Sequence, residues 1–285
     1  LQQIRHELGR DGGSRFHLSI LSRIPIVGHD SRDPTRRRPL AGIRHDQELD
    51  EVVIGCMNPS EDEANIGRII AMRLGCGEST PGWTVQRNCA SGMQAIDSAM
   101  KDIALGRHHL VLAGGTEAMS RSPLLFRPEM VNWFSRMMMA KTPLAKAQGL
   151  LRFRPGFLSP IIALLRGLTD PLCGFNMGQT AEMIAYQYAL TRSMMDEFAT
   201  QSHQRLAAAQ DDHSLRGITP LYAPNGGFYD SDDGVRRDSS VEKLAKLKPV
   251  FDKRFGMVTA GNSSQVTDGA CVLLLASEHA VEKYD

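Results

Sequence analysis

Between positions 50 and 113 short apolar runs alternate with segments of helical period, none long enough to bury its own apolar surface. Asp50–Cys56 (DEVVIGC) is apolar without a polar alternation, as a strand covered on both faces must be. Asn65–Leu74 (NIGRIIAMRL) has the spacing of an amphipathic helix. Thr84–Gln86 is a short β-prone stretch leading into Arg87-Asn88-Cys89. Ala90–Leu105 then reads as a helix with Ala90, Ser91, Ala95, Ser98 and Ala99 at close-packing positions, so it is expected to be buried. His109–Ala113 (HLVLA) reads as another buried strand, closed by a turn at Gly114-Gly115. Such an alternation implies an α/β core with helices laid against a sheet.

The rest of the chain is less regular. Residues 120–178 are rich in Pro, Arg and Met, and Gly178–Gln210 reads as one long helical stretch. Residues 211–240 are loop-like, with turn signals at Asn225-Gly226-Gly227 and Asp232-Asp233-Gly234. Strand character returns at Met257–Thr259 and Cys271–Ala276, and a helix starts at Glu278. That late start suggests that more chain follows Asp285.

Composition narrows the class. Hydrophobic residues make up 42% and charged residues 23% of 285, enough apolar surface to offset chain entropy, so disorder is excluded. Cysteines at 56, 76, 89, 173 and 271 are odd in number and scattered, which argues against a disulfide scaffold and for a reducing compartment. No run approaches the ~18 apolar residues that cross a bilayer. The net charge of +1 conceals an asymmetry. Residues 1–47 hold nine Arg and five acids; residues 121–168 hold six Arg and two Lys against Glu129 alone, leaving an acidic body elsewhere. The Arg-rich leader reads either as an organellar transit peptide or as a poorly determined or out-of-frame end; its five acids and weak amphipathicity favour the second.

Chemistry concentrates at Asn88-Cys89-Ala90-Ser91-Gly92. A strand ends there and Cys89 falls at the first turn of a buried helix, where free N–H groups and the positive dipole end gather. Such a setting favours a thiolate, the form that attacks, and its N–H groups can hold an oxyanion. The competing reading is an inert buried cysteine. The turn Thr259–Ser264 (TAGNSS) is a second, weaker site for a ligand against backbone. His108-His109 reads as a surface pair at a helix end, and no His/Cys cluster has zinc spacing, so no metal is expected. No Rossmann glycine fingerprint or P-loop is present.

Four separated motifs resemble those of the thiolases (acetyl-CoA C-acyltransferases), in the family's order over about Glu48–Asp285. VQRNCASGMQAI (Val85–Ile96) is similar to the nucleophile motif, and GGTEAMSRSP (Gly114–Pro123) to the strand and turn after it. NMGQTAE (Asn176–Glu182) is similar to the start of the loop-domain helix. KLKPVF (Lys246–Phe251) with VTAGNSSQVTDGA (Val258–Ala270) resembles the end of the N-terminal half. The resemblance implies a layered α-β-α half with a mixed sheet and a buried nucleophile helix, its core at 48–120 and 250–285 and a helical loop domain inserted at 121–249. It implies that Cys89 attacks an acyl-CoA thioester, with its backbone N–H in an oxyanion hole. The reaction is thiolytic cleavage of a 3-ketoacyl-CoA or the reverse condensation. Met177, Arg236, Ala260 and Ser264 would line the CoA and pantetheine path. CoA enters as substrate and product, and no cofactor is implied.

In this family the activating His, the water-holding Asn and a second catalytic Cys come from the C-terminal half. That domain is not among these motifs, so the chain by itself is expected not to turn over. The leader does not match the family's opening strand and turn. An Asn at 176, where small-acyl biosynthetic members usually carry His, resembles β-oxidation thiolases of the trifunctional β-subunit type. A homodimer or tetramer, a hydratase/dehydrogenase partner subunit and no nucleic acid are implied, in bacterial cytoplasm or, for a eukaryote, the mitochondrion. Residues 150–168, apolar and basic, fit either peripheral contact with membrane or partner, or a solvated cover binding CoA phosphates. The rivals are a ketoacyl synthase, which shares the fold and a helix-start Cys, and a non-catalytic acyl-CoA or lipid carrier.

Overall fold

A computed structural model describes residues 17–19, 48–215, 217–222 and 226–284. In chain order the strands and α-helices begin with β1 (His17–Ser19), β2 (Glu51–Gly55), α1 (Ile66–Leu74), β3 (Gly82–Val85), α2 (Ser91–Ala104) and β4 (Leu110–Ala118). There follow β5 (Leu124–Leu125), α3 (Pro128–Met139), α4 (Pro143–Leu151), β6 (Ile161–Ile162), α5 (Ala163–Gly167), α6 (Met177–Gln187) and α7 (Arg192–Asp211). The last are β7 (Leu221–Tyr222), β8 (Phe228–Tyr229), α8 (Val241–Ala245), β9 (Asp268–Ala276) and α9 (Glu278–Tyr284). The chain forms two compact units, one of Leu1–Ala118, Thr200–Ser239 and Gln265–Asp285, the other of Met119–Ala199 and Ser240–Ser264.

The first unit is built on a mixed five-stranded sheet in the order β1-β9-β4-β2-β3. β2 runs parallel to both β3 and β4, whereas β9 is antiparallel to β4 and β1. Because side chains alternate along a strand, the apolar runs feed two separate cores. Val52, Ile54, Leu110 and Leu112 pack with Ala71 of α1 and Ala280 of α9 on one face. Val53, Val111 and Ala113 pack with Ala95, Ala99 and Ile103 of α2 on the other. Helices on both faces are what makes β2 buried at every position. Each fully buried Val, Leu or Ile contributes about 1.5–3 kcal/mol of transfer free energy. This is the layered α/β architecture expected from the sequence.

Local signals set the element ends. Asn65 caps α1 by accepting from the Arg68 N–H, and Gly75, in the left-handed region at φ 80°, ends it. The small face of α2 does what its composition requires: Ser91, Ala95 and Ala99 are buried with Ile103, although Ala90 is exposed and precedes the helix.

Three expectations are corrected. Gly114-Gly115 does not close a strand but lies inside β4, whose pairing runs on to Ala118 opposite Asp268. A Cβ on Gly114 would strike the backbone of Cys271 and Val272, so glycine permits the close approach of β9 rather than a turn. The stretch from Gly178 to Gln210 is two helices, broken after Gln187 where Ala189 adopts φ 52°. Met257–Thr259 forms no strand. Its amides go instead to a side chain, Glu182, which accepts from Met257 N–H at 2.8 Å and Val258 N–H at 2.9 Å.

The second unit holds α3–α6, α8 and the start of α7. α3 and α4 both open on Pro at the first helical positions, where its missing N–H costs nothing. Trp133 of α3 donates to the Gly149 carbonyl of α4 at 2.8 Å and stacks edge-on with Phe134 and Phe153. The boundaries differ from those expected for an inserted domain, since 200–239 groups with the sheet and 250–264 with the helical unit. The expectations for residues 1–47 fall, His17–Ser19 apart, outside the described residues.

Candidate active site

The carboxyl ends of the parallel strands β2, β3 and β4 carry the chemistry-bearing turn. β3 stops at Val85, whose carbonyl accepts from the Cys56 N–H at 3.1 Å. Gln86 then reaches across to donate to the Met57 carbonyl at 2.8 Å. The next four residues are folded tightly by one hydroxyl. Ser91 Oγ donates to the Asn88 carbonyl at 2.6 Å and accepts from the Arg87 N–H at 2.8 Å. Asn88 sits at φ 48°, a left-handed conformation that Asn tolerates better than most residues. The result is that Cys89 is exposed and stands two residues ahead of Ser91, just before the N-cap Ala90. It is thus outside the first helical turn, in the loop that leads into the N-terminal end of α2. A Cβ on Gly55 would collide with the Ser91 and Gly92 backbone, so the bare end of β2 lets the helix start sit this close.

Glu117, near the end of β4, was not singled out by sequence reasoning. Its carboxylate accepts from the Met57 N–H at 2.9 Å and the Asn58 N–H at 3.1 Å. It therefore fixes the turn whose carbonyl holds Gln86, beside the Cys89 loop. Closing the strand at Gly114-Gly115 hid it, because a half-buried carboxylate needs partners only once β4 is seen to run on past it. Cys56 is buried beside it, and burial first, then the Glu117 charge, pushes its thiol up. Cys76 is also buried, while Cys173 and Cys271 are exposed.

Of the other candidate residues, Met177, Ala260 and Ser264 lie in the helical unit and Arg236 in the same unit as Cys89. Met177 opens α6 behind a reciprocal cap, Asn176 accepting from Gln179 N–H at 2.9 Å and Gln179 accepting from Asn176 N–H at 3.0 Å. Arg236 is exposed, and its N–H donates to His203 at 3.2 Å. Ala260 and Ser264 are exposed on the TAGNSS turn, which is held from below. Asn262 accepts from Thr259 N–H at 2.7 Å and donates to Asp196 at 2.9 Å and to the Met257 carbonyl at 3.0 Å. Asp196, 1% exposed, pairs with Arg192 at 2.7 Å, and that guanidinium also donates to the Leu244 and Leu247 carbonyls. Asp196, Arg192 and Glu182 escaped sequence reasoning because acids and Arg on a helix read as a solvated face.

A family model described as thiolase, N-terminal domain, matches residues 40–279. The mouse mitochondrial trifunctional enzyme subunit beta is 34% identical over 268 residues, covering 92% of this chain and 55% of that protein. The crystal structure of the Bacillus anthracis acetyl-CoA acetyltransferase superposes with a TM-score of 0.72 at 35% identity, over 85% of this chain and 57% of that one. Human mitochondrial 3-ketoacyl-CoA thiolase in complex with CoA gives 0.70 at 32% identity, over 85% of this chain and 56% of that one. The chain therefore spans about half the length of the relatives it matches. With the Cys89 turn, the mixed sheet and the capped NMGQTAE helix all in place, the chain belongs to the thiolase family, whose N-terminal domain it matches.

Proposed function

We propose that Cys89 is the acyl-accepting nucleophile of a degradative thiolase acting on 3-ketoacyl-CoA. The observation that carries this reading is the exposed Cys89 thiol held just ahead of α2 by the Ser91-closed turn. Its thiolate attacks the carbonyl at C3 of the 3-ketoacyl-CoA, and the negative charge developing on that oxygen is met by N–H groups at the helix start, the Cys89 amide among them. Collapse breaks the C2–C3 bond, so the acyl group stays on sulfur and acetyl-CoA leaves once its carbanion takes a proton. Incoming CoA thiolate then removes the acyl group as a shortened acyl-CoA. Run backward, the same steps are a condensation. Met177, Arg236, Ala260 and Ser264 line the CoA and pantetheine path, and CoA is substrate and product rather than a bound cofactor. Support comes from the CoA complex of the human structure and the naming of the mouse relative as a trifunctional enzyme subunit.

The test is CoA-dependent loss of a 3-ketoacyl-CoA with equimolar acetyl-CoA formed by the complete protein. Release of CO2 from a malonyl donor would favour a ketoacyl synthase instead, and acyl-CoA binding without turnover a carrier.

The complete protein acts as a homodimer or tetramer, with a hydratase/dehydrogenase subunit as its partner, in bacterial cytoplasm or in mitochondria. Among the described residues no helix is long and apolar enough to cross a membrane. Leu150 and Leu151, 60% and 87% exposed beside Arg152, support peripheral contact of 150–168 with an anionic bilayer. Flotation of the complete protein with anionic liposomes that is unchanged after deleting 150–168, or after Leu151→Asp, would remove the membrane reading and leave the CoA-cover one.

A further inference from the structure

At the opposite end of α2 from Cys89, three side chains far apart in sequence come together. Glu51 opens β2, Asp102 lies in the last turn of α2, and His108 lies between α2 and β4. One ligand atom from each falls within 4.8 Å of the other two. Asp50 sets the direction of this segment, its carboxylate accepting from the His109 and Leu110 N–H groups at 2.6 and 2.8 Å. His109 is drawn to Ser277 at 3.0 Å, and His108 is left facing Glu51.

The cluster alone would be an ordinary polar corner. What sets it apart is Glu51, which is 8% exposed. Its Oε1 accepts from Trp83 Nε1 at 2.7 Å, which fixes the carboxylate plane. Its Oε2 is buried without a hydrogen-bond partner, and His108 Nε2 stands 3.8 Å away, beyond hydrogen-bond reach. A buried carboxylate oxygen left unsatisfied keeps the full penalty of its lost hydration unless something polar reaches it. Among the described residues nothing does.

We propose that Glu51, Asp102 and His108 form a binding site for a divalent transition-metal ion, with Zn2+ the ion their donor set fits. One imidazole and two carboxylates leave a fourth tetrahedral position to water, and the imidazole disfavours Ca2+ and Mg2+. Zn–N and Zn–O bonds of about 2.0–2.2 Å place tetrahedral ligand atoms about 3.3–3.6 Å apart. The present spacing therefore closes by small side-chain rotations. Asp102 and His108, whose side chains are 21% and 25% exposed, have the freedom to make them. Arg107 holds Asp102 at 3.0 Å, but its side chain is 66% exposed and that pair is weak enough to open. The ion would staple the far end of the nucleophile helix to β2, a structural role separate from acyl transfer.

The test is zinc titration of the metal-stripped complete protein by calorimetry and thermal melting. A Cys89→Ser background keeps the exposed nucleophile from taking the ion. The expected result is one equivalent bound with a rise in Tm that Mg2+ and Ca2+ do not give. In His108→Asn and Glu51→Gln that equivalent should bind weaker by a factor of about 100 or more, since loss of an outer-shell partner alone costs 10–100-fold. The His108 variant, on the partly exposed side, serves if Glu51→Gln does not fold. A parent that binds no zinc makes the cluster a plain histidine–carboxylate contact. Undiminished binding in His108→Asn places the ion elsewhere. Either result overturns the site.

Discussion

Two cysteines in the same unit differ sharply in their surroundings. Cys89 is exposed at a helix start, whereas Cys56 is buried beside Glu117 with its thiol pushed up. Iodoacetamide at neutral pH should therefore modify Cys89, with the exposed Cys173 and Cys271, and leave Cys56 and Cys76 unlabelled until the protein unfolds. Peptide mass mapping reads this, and early labelling of Cys56 would contradict it. The raised Cys56 thiol also has a sign. The folded state holds its proton more tightly than the unfolded chain, whose thiol titrates at 9.0, so its stability contribution is complete below that value. It is lost as pH rises through the raised folded value. Wild type should lose stability faster than Cys56→Ala above pH 9.0 in denaturant melts, the difference vanishing at neutral pH. The turn that carries Cys89 was legible in the sequence because a strand end, small residues and a motif coincide there. Glu117 was not, since nothing local announces that an acid at the eighth residue of a strand will find two N–H groups about sixty residues upstream.

At the level of elements, periodic segments were read correctly and contacts distant in sequence were not. β2 and β9 follow from short continuous apolar runs and α1 and α2 from period 3.6, signals that each segment carries within itself. The glycine pair at 114–115 resembles a turn until β9 is laid against it, and only the paired strand shows why no side chain fits. Gly114→Ala should cost about 1–3 kcal/mol, as overpacking against backbone does, and chemical denaturation measures it. The TAGNSS turn depends on α7 in the same hidden way. Asp196→Ala strands Arg192 and removes the anchor of Asn262, for an expected loss of about 3–5 kcal/mol. Asp196→Asn, which keeps one acceptor, should lose less; equal losses would mean that the charge pair carries the whole effect. Chain breaks such as the one at Ala189 are equally obscure locally, because no Gly or Pro marks the left-handed residue.

For the whole molecule, the alternation of strands and helices was enough to give an α/β class, and the motifs enough to give the family. The strand order β1-β9-β4-β2-β3 was not accessible, because it places a strand from near position 17 beside one from near position 275. Nor was the division of the chain, in which sequence-distant segments share a unit. The near-neutral net charge conceals a helical unit whose residues 121–168 carry eight basic groups against Glu129. Exposed Met138, Leu144 and Leu151 lie among them, a composition suited to an anionic ligand or surface. What the proposed chemistry requires is nevertheless local, an acyl group carried on Cys89. Mixing the complete protein with isotopically labelled acyl-CoA, quenching in acid and weighing the cysteine peptides tests it directly. A thioester adduct on the Cys89 peptide, released by hydroxylamine and absent from Cys89→Ser, is the predicted result. A wild-type protein with no adduct there, or with equal adducts on Cys173 and Cys271, would contradict the account.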